Sequence, residues 1–283
     1  MDAKNAKHDL KEQSRLASDM FRDSASTLIT EASERAQGLS YDSDAESIHQ
    51  LRVAVRRLRS IWWAYRPLLP EPERVRQEES LKLITTVAGK ARDWDILVDL
   101  FVSRKERKRA PEFMDELIAR RKHALQSSCA ELQSIDVSAT LRSIYDGAMF
   151  AIDKTFPQSA SRFARLGAAS AERTLRKRMK RADRAKKTDY NAYHDVRKAA
   201  KRLRYALEFF DAESKSKHDG VLKALKDIQQ RYGALNDVVA SEQILRDEFP
   251  ERTAEIGWLE RKRKQRLKVA QEMLPGSKKL WPD

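Results

Sequence analysis

The chain has 283 residues, enough for one large domain or two of ordinary size, so burial of a core is not limiting. It carries 57 Lys and Arg against 43 Asp and Glu, a net charge of +14. With a pI near 9.8, this points to a polyanionic partner: nucleic acid, anionic lipid or an inorganic phosphate polymer. Cys129 is the single cysteine, which excludes an intrachain disulfide framework and a multi-cysteine metal site. The opening residues hold no apolar stretch suited to a signal peptide, and no apolar run is long enough to cross a bilayer. A soluble cytoplasmic protein without membrane association is expected.

Eight Gly and eight Pro in the whole chain, against abundant Ala, Leu, Glu, Lys and Arg, predict an all-α fold. Apolar periodicity places helices over 10–37, 44–66, 73–90, 92–108, 112–133, 138–154, 160–186, 190–212, 219–233, 235–248 and 251–273. Gly38 and Gly89 read as C-terminal caps, and Ser43-Asp-Ala-Glu46 has the form of a capping box. Pro67, Pro70 and Pro72 close the second helix, Pro111 opens the fifth, and Asp189 caps the helix that follows it. The stretch 155–161 reads as the linker between two halves, 10–154 and 160–275, of one domain over 10–275. Residues 1–9 and 276–283 are left as tails.

Two of these helices carry the same pattern. His49-Gln-Leu-Arg52-Val-Ala-Val-Arg56-Arg57-Leu-Arg59 and His194-Asp-Val-Arg197-Lys198-Ala-Ala-Lys201-Arg202-Leu-Arg204 both read His-x-x-Arg-x-x-x-basic-basic-Leu-Arg, 145 residues apart. A second pair, Gly89-Lys-Ala-Arg92-Asp93-Trp-Asp95 and Gly233-Ala-Leu-Asn236-Asp237, recurs at a spacing of 144. Two unrelated motifs at nearly one offset indicate an internal duplication, with a period far longer than that of a solenoid.

At about 100° per residue, Arg52, Arg56 and Arg59 fall within about 80° of His49 on the helix surface. Leu51, Val55, Leu58, Trp62 and Tyr65 cluster on the opposite side. His194, Arg197, Lys201 and Arg204 form the matching stripe, opposite Val196, Leu203, Leu207 and Phe210. From His49 to Arg59 the rise is about 15 Å, the length of a ladder for an extended anion. Basic residues opposite an apolar stripe are ordinarily a solvated face. Here, however, like charges at i, i+3, i+7 and i+10 repel, and neither stripe holds an acidic residue to offset them. Charge is also uneven: residues 1–50 have 6 Lys and Arg and 10 Asp and Glu, whereas residues 161–210 have 16 and 5.

These segments, with Lys201-Arg202-Leu-Arg204-Tyr205-Ala-Leu-Glu-Phe-Phe, resemble the CHAD family, the conserved histidine α-helical domain. The resemblance implies two four-helix bundles related by a pseudo-two-fold axis around a basic central pore. It further implies binding of inorganic polyphosphate and association with polyphosphate granules and their proteins. Carried over by motif position, the binding residues are His49, Arg52, Arg56, Arg59, His194, Arg197, Lys201 and Arg204. Arg57 and Arg202 lie toward the rim, as does the basic row Arg173, Arg176, Lys177 and Lys180, which the first half lacks.

Asp93 and Asp237 occupy matching positions, where helix capping or orientation of arginines is favoured over metal chemistry. Asp93 and Asp95, two apart, do not share a helix face. Trp62 and Tyr65 follow the apolar stripe, which favours core packing over base stacking. No phosphate-binding loop, dinucleotide motif, zinc-protease motif or nucleophile elbow is present, and the strands and Glu-x-Glu signature of a tunnel-fold triphosphatase are missing. The expectation is a stand-alone, non-catalytic binding module without metal or cofactor. RNA binding through the same basic surface is the alternative.

Overall fold

A computed structural model describes residues 15–41, 43–102, 111–153, 157–186, 188–210 and 219–274. Among them the fold is all-α: α1 (Ala17–Gln37), α2 (Ala45–Tyr65), α3 (Glu71–Val102), α4 (Pro111–Ser134), α5 (Val137–Ile152), α6 (Ala160–Arg184), α7 (Tyr190–Phe210), α8 (Asp219–Glu248) and α9 (Thr253–Gln271), with a 3₁₀ turn at Arg66–Leu68. The expected segments 10–14, 103–108 and 211–212, part of the 155–161 linker and both tails lie outside the described residues.

Two pairs of predicted helices prove to be single ones. The expected break at Gly89 falls inside α3, and the one between 233 and 235 falls inside α8. A glycine commonly ends a helix by taking a left-handed conformation, which neither Gly89 nor Gly233 does. Gly89 and Gly233 are instead buried helical positions. Gly38 does close α1, also in right-handed geometry, its N–H donating to the carbonyls of Glu34 and Ala36. The cap of α2 is Asp44, one residue later than the capping-box reading, its carboxylate accepting from Ser47 N at 2.8 Å. Asp189 accepts from Ala192 N at 3.2 Å, as expected for a cap of α7.

Residues 15–95 and 111–167 form one compact unit, and 96–102 with 168–274 form the other. In the first unit α1 packs on α2 and α5. The apolar stripe of α2 drives this: Leu51, Val55, Leu58, Trp62 and Tyr65 are all fully buried. Phe21 of α1 meets the rings of Trp62 and Tyr65 edge-on at 5.2 and 5.1 Å, and Phe163 stacks on Tyr65 at 5.0 Å. The indole N–H of Trp62 donates to buried Gln77 at 2.8 Å, which answers the cost of burying a polar atom. The unit is closed by an antiparallel pairing of Leu16 with Ser159.

In the second unit α8 packs against both α7 and α9. Val196, Leu203 and Leu207 face inward from α7, as their spacing predicts; the Phe210 side chain lies outside the described set. Phe101, at the end of α3, meets Trp258 at 5.1 Å. One buried carboxylate braces each unit. Asp95 accepts from Arg121 Nε at 2.6 Å, and Glu242 accepts from Arg263 at 2.8 Å and Arg246 at 3.1 Å.

Candidate functional site: two histidine–arginine ladders

Burial of the apolar stripe fixes the rotation of α2, and this sets His49, Arg52 and Arg56 half-buried along its flank. Arg52 runs across α3 at Gly89, its Nε 3.8 Å from where a Cβ on that glycine would stand. The glycine gives the arginine room to lie over the helix. The His49 pKa is lowered, by desolvation first and then by the Arg92 guanidinium, with Arg56 and Arg52 adding to the effect against Glu46. Its Nδ1 and the Nε of Arg56 are buried without a hydrogen-bond partner.

The remaining basic residues of α2 are more committed. Arg57 turns toward α1, where Glu31 accepts from it at 3.5 Å. Arg59 donates to the Thr85 hydroxyl of α3 at 2.9 Å. Within this unit the sequence-derived set therefore divides into an inner group of His49, Arg52 and Arg56 and an outer Arg59 tied to α3.

The second unit repeats the local geometry. His194, Arg197, Lys201 and Arg204 are half-buried on α7 and Arg202 is exposed. Arg197 crosses α8 at Gly233, with its Nε 3.5 Å from the place of a Cβ. The His194 pKa is lowered by desolvation and then by Lys198 and Arg197, opposed by a hydrogen bond with Asn236 and by Asp195. Arg204 lies over the ring of Tyr205, 4.6 Å from its centroid, with Glu208 at 3.5 Å.

Beside α7 in this unit, α6 carries the strongest concentration of charge. Arg178 and Arg181 of α6 pair with Asp195 of α7 at 3.0 and 3.7 Å. Exposed Arg173, Arg176, Lys177 and Lys180 line a cavity of about 720 Å³ with Arg181, Arg184 and Asp189. Arg176 has Glu172 at 2.7 Å. Six cations against one carboxylate make this cavity receptive to anions.

Sequence reasoning missed Arg92 and Asn236. Both stand in the same register of the Gly motif, three residues after Gly89 and Gly233, and each acts on its unit's histidine. Their shared register was the available signal. Asp93 and Asp237 are half-buried. Among the described residues no group of three His, Cys, Asp or Glu is placed to hold a metal ion, and no helix is long and apolar enough to cross a membrane.

What these elements define is an all-helical protein that presents a cationic ladder, headed by a histidine, in each of two compact units. The CHAD domain family model matches residues 25–246, and the chain belongs to that family. The crystal structure of the CHAD domain from the plant Ricinus communis is similar to it, with a TM-score of 0.74 and 25% sequence identity over 93% of this chain and 90% of that one. PptA from Streptomyces chartreusis shares the fold, with a TM-score of 0.66 at 14% identity, covering 94% of this chain and 100% of that one. No curated protein matches the chain.

Proposed function

We propose that the chain binds inorganic polyphosphate along its ladders, without catalysing its turnover, and that this binding associates it with polyphosphate granules in the cytoplasm. The observation that carries the reading is the arginine laid across a glycine beside a desolvated histidine, present in both units of a member of a family associated with polyphosphate binding. An extended polyanion suits a ladder because guanidinium forks grip successive phosphoryl oxygens bidentately while lysine acts as a point charge. Release of condensed counterions adds an entropic drive. The binding set is His49, Arg52, Arg56, Arg59, His194, Arg197, Lys201 and Arg204, with Arg57, Arg202 and the basic row of α6 as outer contacts. We extend the proposal to a single pore in which both ladders serve one polyphosphate chain.

The test is the salt dependence of polyphosphate affinity for the parent and for Arg52, Arg56, Arg197 and Lys201 replaced together by Ala. Each cation removed should flatten the slope of log affinity against log salt by about 0.7, and the four together by about 3. The helical circular-dichroism signal should be kept. A quadruple variant that binds like the parent at equal ionic strength overturns the ladder assignment. Substituting one ladder at a time separates the pore from independent sites: one pore gives one high-affinity chain per protein that either half-variant weakens. Competition by RNA at equal phosphate concentration distinguishes the nucleic-acid alternative.

A further inference from the structure

In the second unit α6 turns Ala171, Leu175, Met179 and Ala182 into the core. At about 100° per residue, Arg173, Arg176, Lys177, Lys180 and Arg184 fall on the opposite side, and all five are exposed. With Arg181 they line the open cavity of about 720 Å³. From Arg173 to Arg184 the helix rises about 16 Å. The single carboxylate in the lining, Asp189, is engaged as the cap of α7. Glu172 holds Arg176, and Asp195 lies near Arg181. Arg173, Lys177, Lys180 and Arg184 have no ion pair among the described residues. Each of these four has another cation three or four residues away, a spacing at which like charges destabilise a helix. An anion that neutralised the row would relieve that cost.

Two comparisons set this row apart from the ladder and from an ordinary solvated face. On α7, Asp195 stands about 160° from Arg197. Its ion pairs to Arg178 and Arg181 and the arginine that crosses α8 at Gly233 therefore leave α7 on opposite flanks. The helix in the corresponding place of the first unit, α1, has no such row. It exposes Asp23, Glu34 and one cation, Arg22, which pairs with Asp19 and Asp153. The duplication thus supplies its own control: the same position in the fold is nearly neutral in one unit and strongly cationic in the other.

We propose that the outer contacts on α6 form a site of their own, which holds a second polyphosphate segment, so that one molecule ties two chains together. The lining has no aromatic ring and no carboxamide, so nothing in it stacks on a base or reads one. Guanidinium forks and lysine ammonium groups suit phosphoryl oxygens alone. The identity of the anion rests on the polyphosphate reading above; the separateness of the site rests on the two flanks of α7.

The experiment is calorimetric titration of the full chain with a linear polyphosphate of about six phosphates, matched to the rise of one row. It compares the parent, the ladder variant with Arg52, Arg56, Arg197 and Lys201 replaced by Ala, and a row variant carrying Arg173→Gln, Lys177→Gln, Lys180→Gln and Arg184→Gln. Glutamine keeps the helix propensity of lysine and arginine, so the row variant should be at least as stable in urea as the parent. It should bind one chain fewer per protein and keep its remaining affinity within about twofold. The ladder variant should keep the class of binding that the row variant loses. In a second assay, long-chain polyphosphate tethered to a surface should capture a labelled second chain through the parent. Capture should fall at least about fivefold with the row variant. A row variant that binds the same number of chains, or bridges as well as the parent, overturns the second site. Loss of all binding in the ladder variant also overturns it while leaving the ladders standing. A ladder variant that binds like the parent beside a row variant that loses a chain sinks the ladders and keeps the row.

Discussion

Replacing Gly89 and Gly233 separates the two things these residues do. Each sits in the interior of a long helix with ordinary helical backbone, where glycine is less favourable than alanine by about 0.8–1 kcal/mol. An alanine Cβ would stand 3.8 Å from Arg52 Nε at Gly89 and 3.5 Å from Arg197 Nε at Gly233, both ordinary contacts. Gly89→Ala and Gly233→Ala should therefore stabilise the protein by about 0.5–1 kcal/mol each, with the Gly233 variant at the lower end. The two changes lie in different units and should add to within about 0.5 kcal/mol. Leucine at either position reaches into the space that the guanidinium occupies and must push it off the helix, so Gly89→Leu and Gly233→Leu should weaken polyphosphate binding severalfold. Urea unfolding gives the first quantity and calorimetric titration the second. Alanine variants that lose stability, or leucine variants that bind as the parent does, would refute the view that these glycines exist to seat the two arginines.

Other outcomes follow from the same contacts. Because burial and neighbouring cations hold both histidine pKa values below the reference of 6.5, the folded state binds fewer protons than the unfolded one near that pH. Stability of the free protein is then full above about pH 6.5 and declines as pH falls through that value, a decline that His49→Gln with His194→Gln should reduce. A bound polyanion reverses the local field, so polyphosphate affinity at fixed ionic strength should rise between about pH 8 and pH 5.5, and the double variant should flatten this profile. Glu242→Ala strands Arg263 in a largely buried place and should cost about 2–4 kcal/mol in urea unfolding. Glu260→Ala, whose pairing with Arg246 is at the surface, should cost less than about 1 kcal/mol. Incubation with polyphosphate or ATP and magnesium or manganese should release no phosphate above background; release abolished by Asp93→Asn or Asp237→Asn would make the protein an enzyme.

The sequence made the helices legible because their apolar stripes are wide and regular, and α2 shows why. Leu51, Val55, Leu58, Trp62 and Tyr65 fix one face, so the positions of His49, Arg52 and Arg56 follow from helical geometry alone. The breaks drawn at Gly89 and after Gly233 went wrong for a physical reason. A glycine that ends a helix and one that lets an arginine cross it look the same until the partner helix is in place. Arg57 with Glu31, and Arg59 with Thr85, are 26 residues apart in sequence, so nothing local separates a ladder rung from a residue tied to its neighbour.

The ladders have a further consequence for the life of the chain. Crowding of like charge around His49 and His194 is a load that the folded state carries whenever no anion is present, whereas the unfolded chain spreads the same charges apart. A multivalent anion that prefers the folded form raises stability by about 2.7 kcal/mol at a hundred times its dissociation constant, less whatever it gains from the unfolded basic chain. That is a large part of the margin of an ordinary domain. Loaded and unloaded molecules would then differ in how fast proteases clear them, so the amount of this protein would track the supply of the anion it holds.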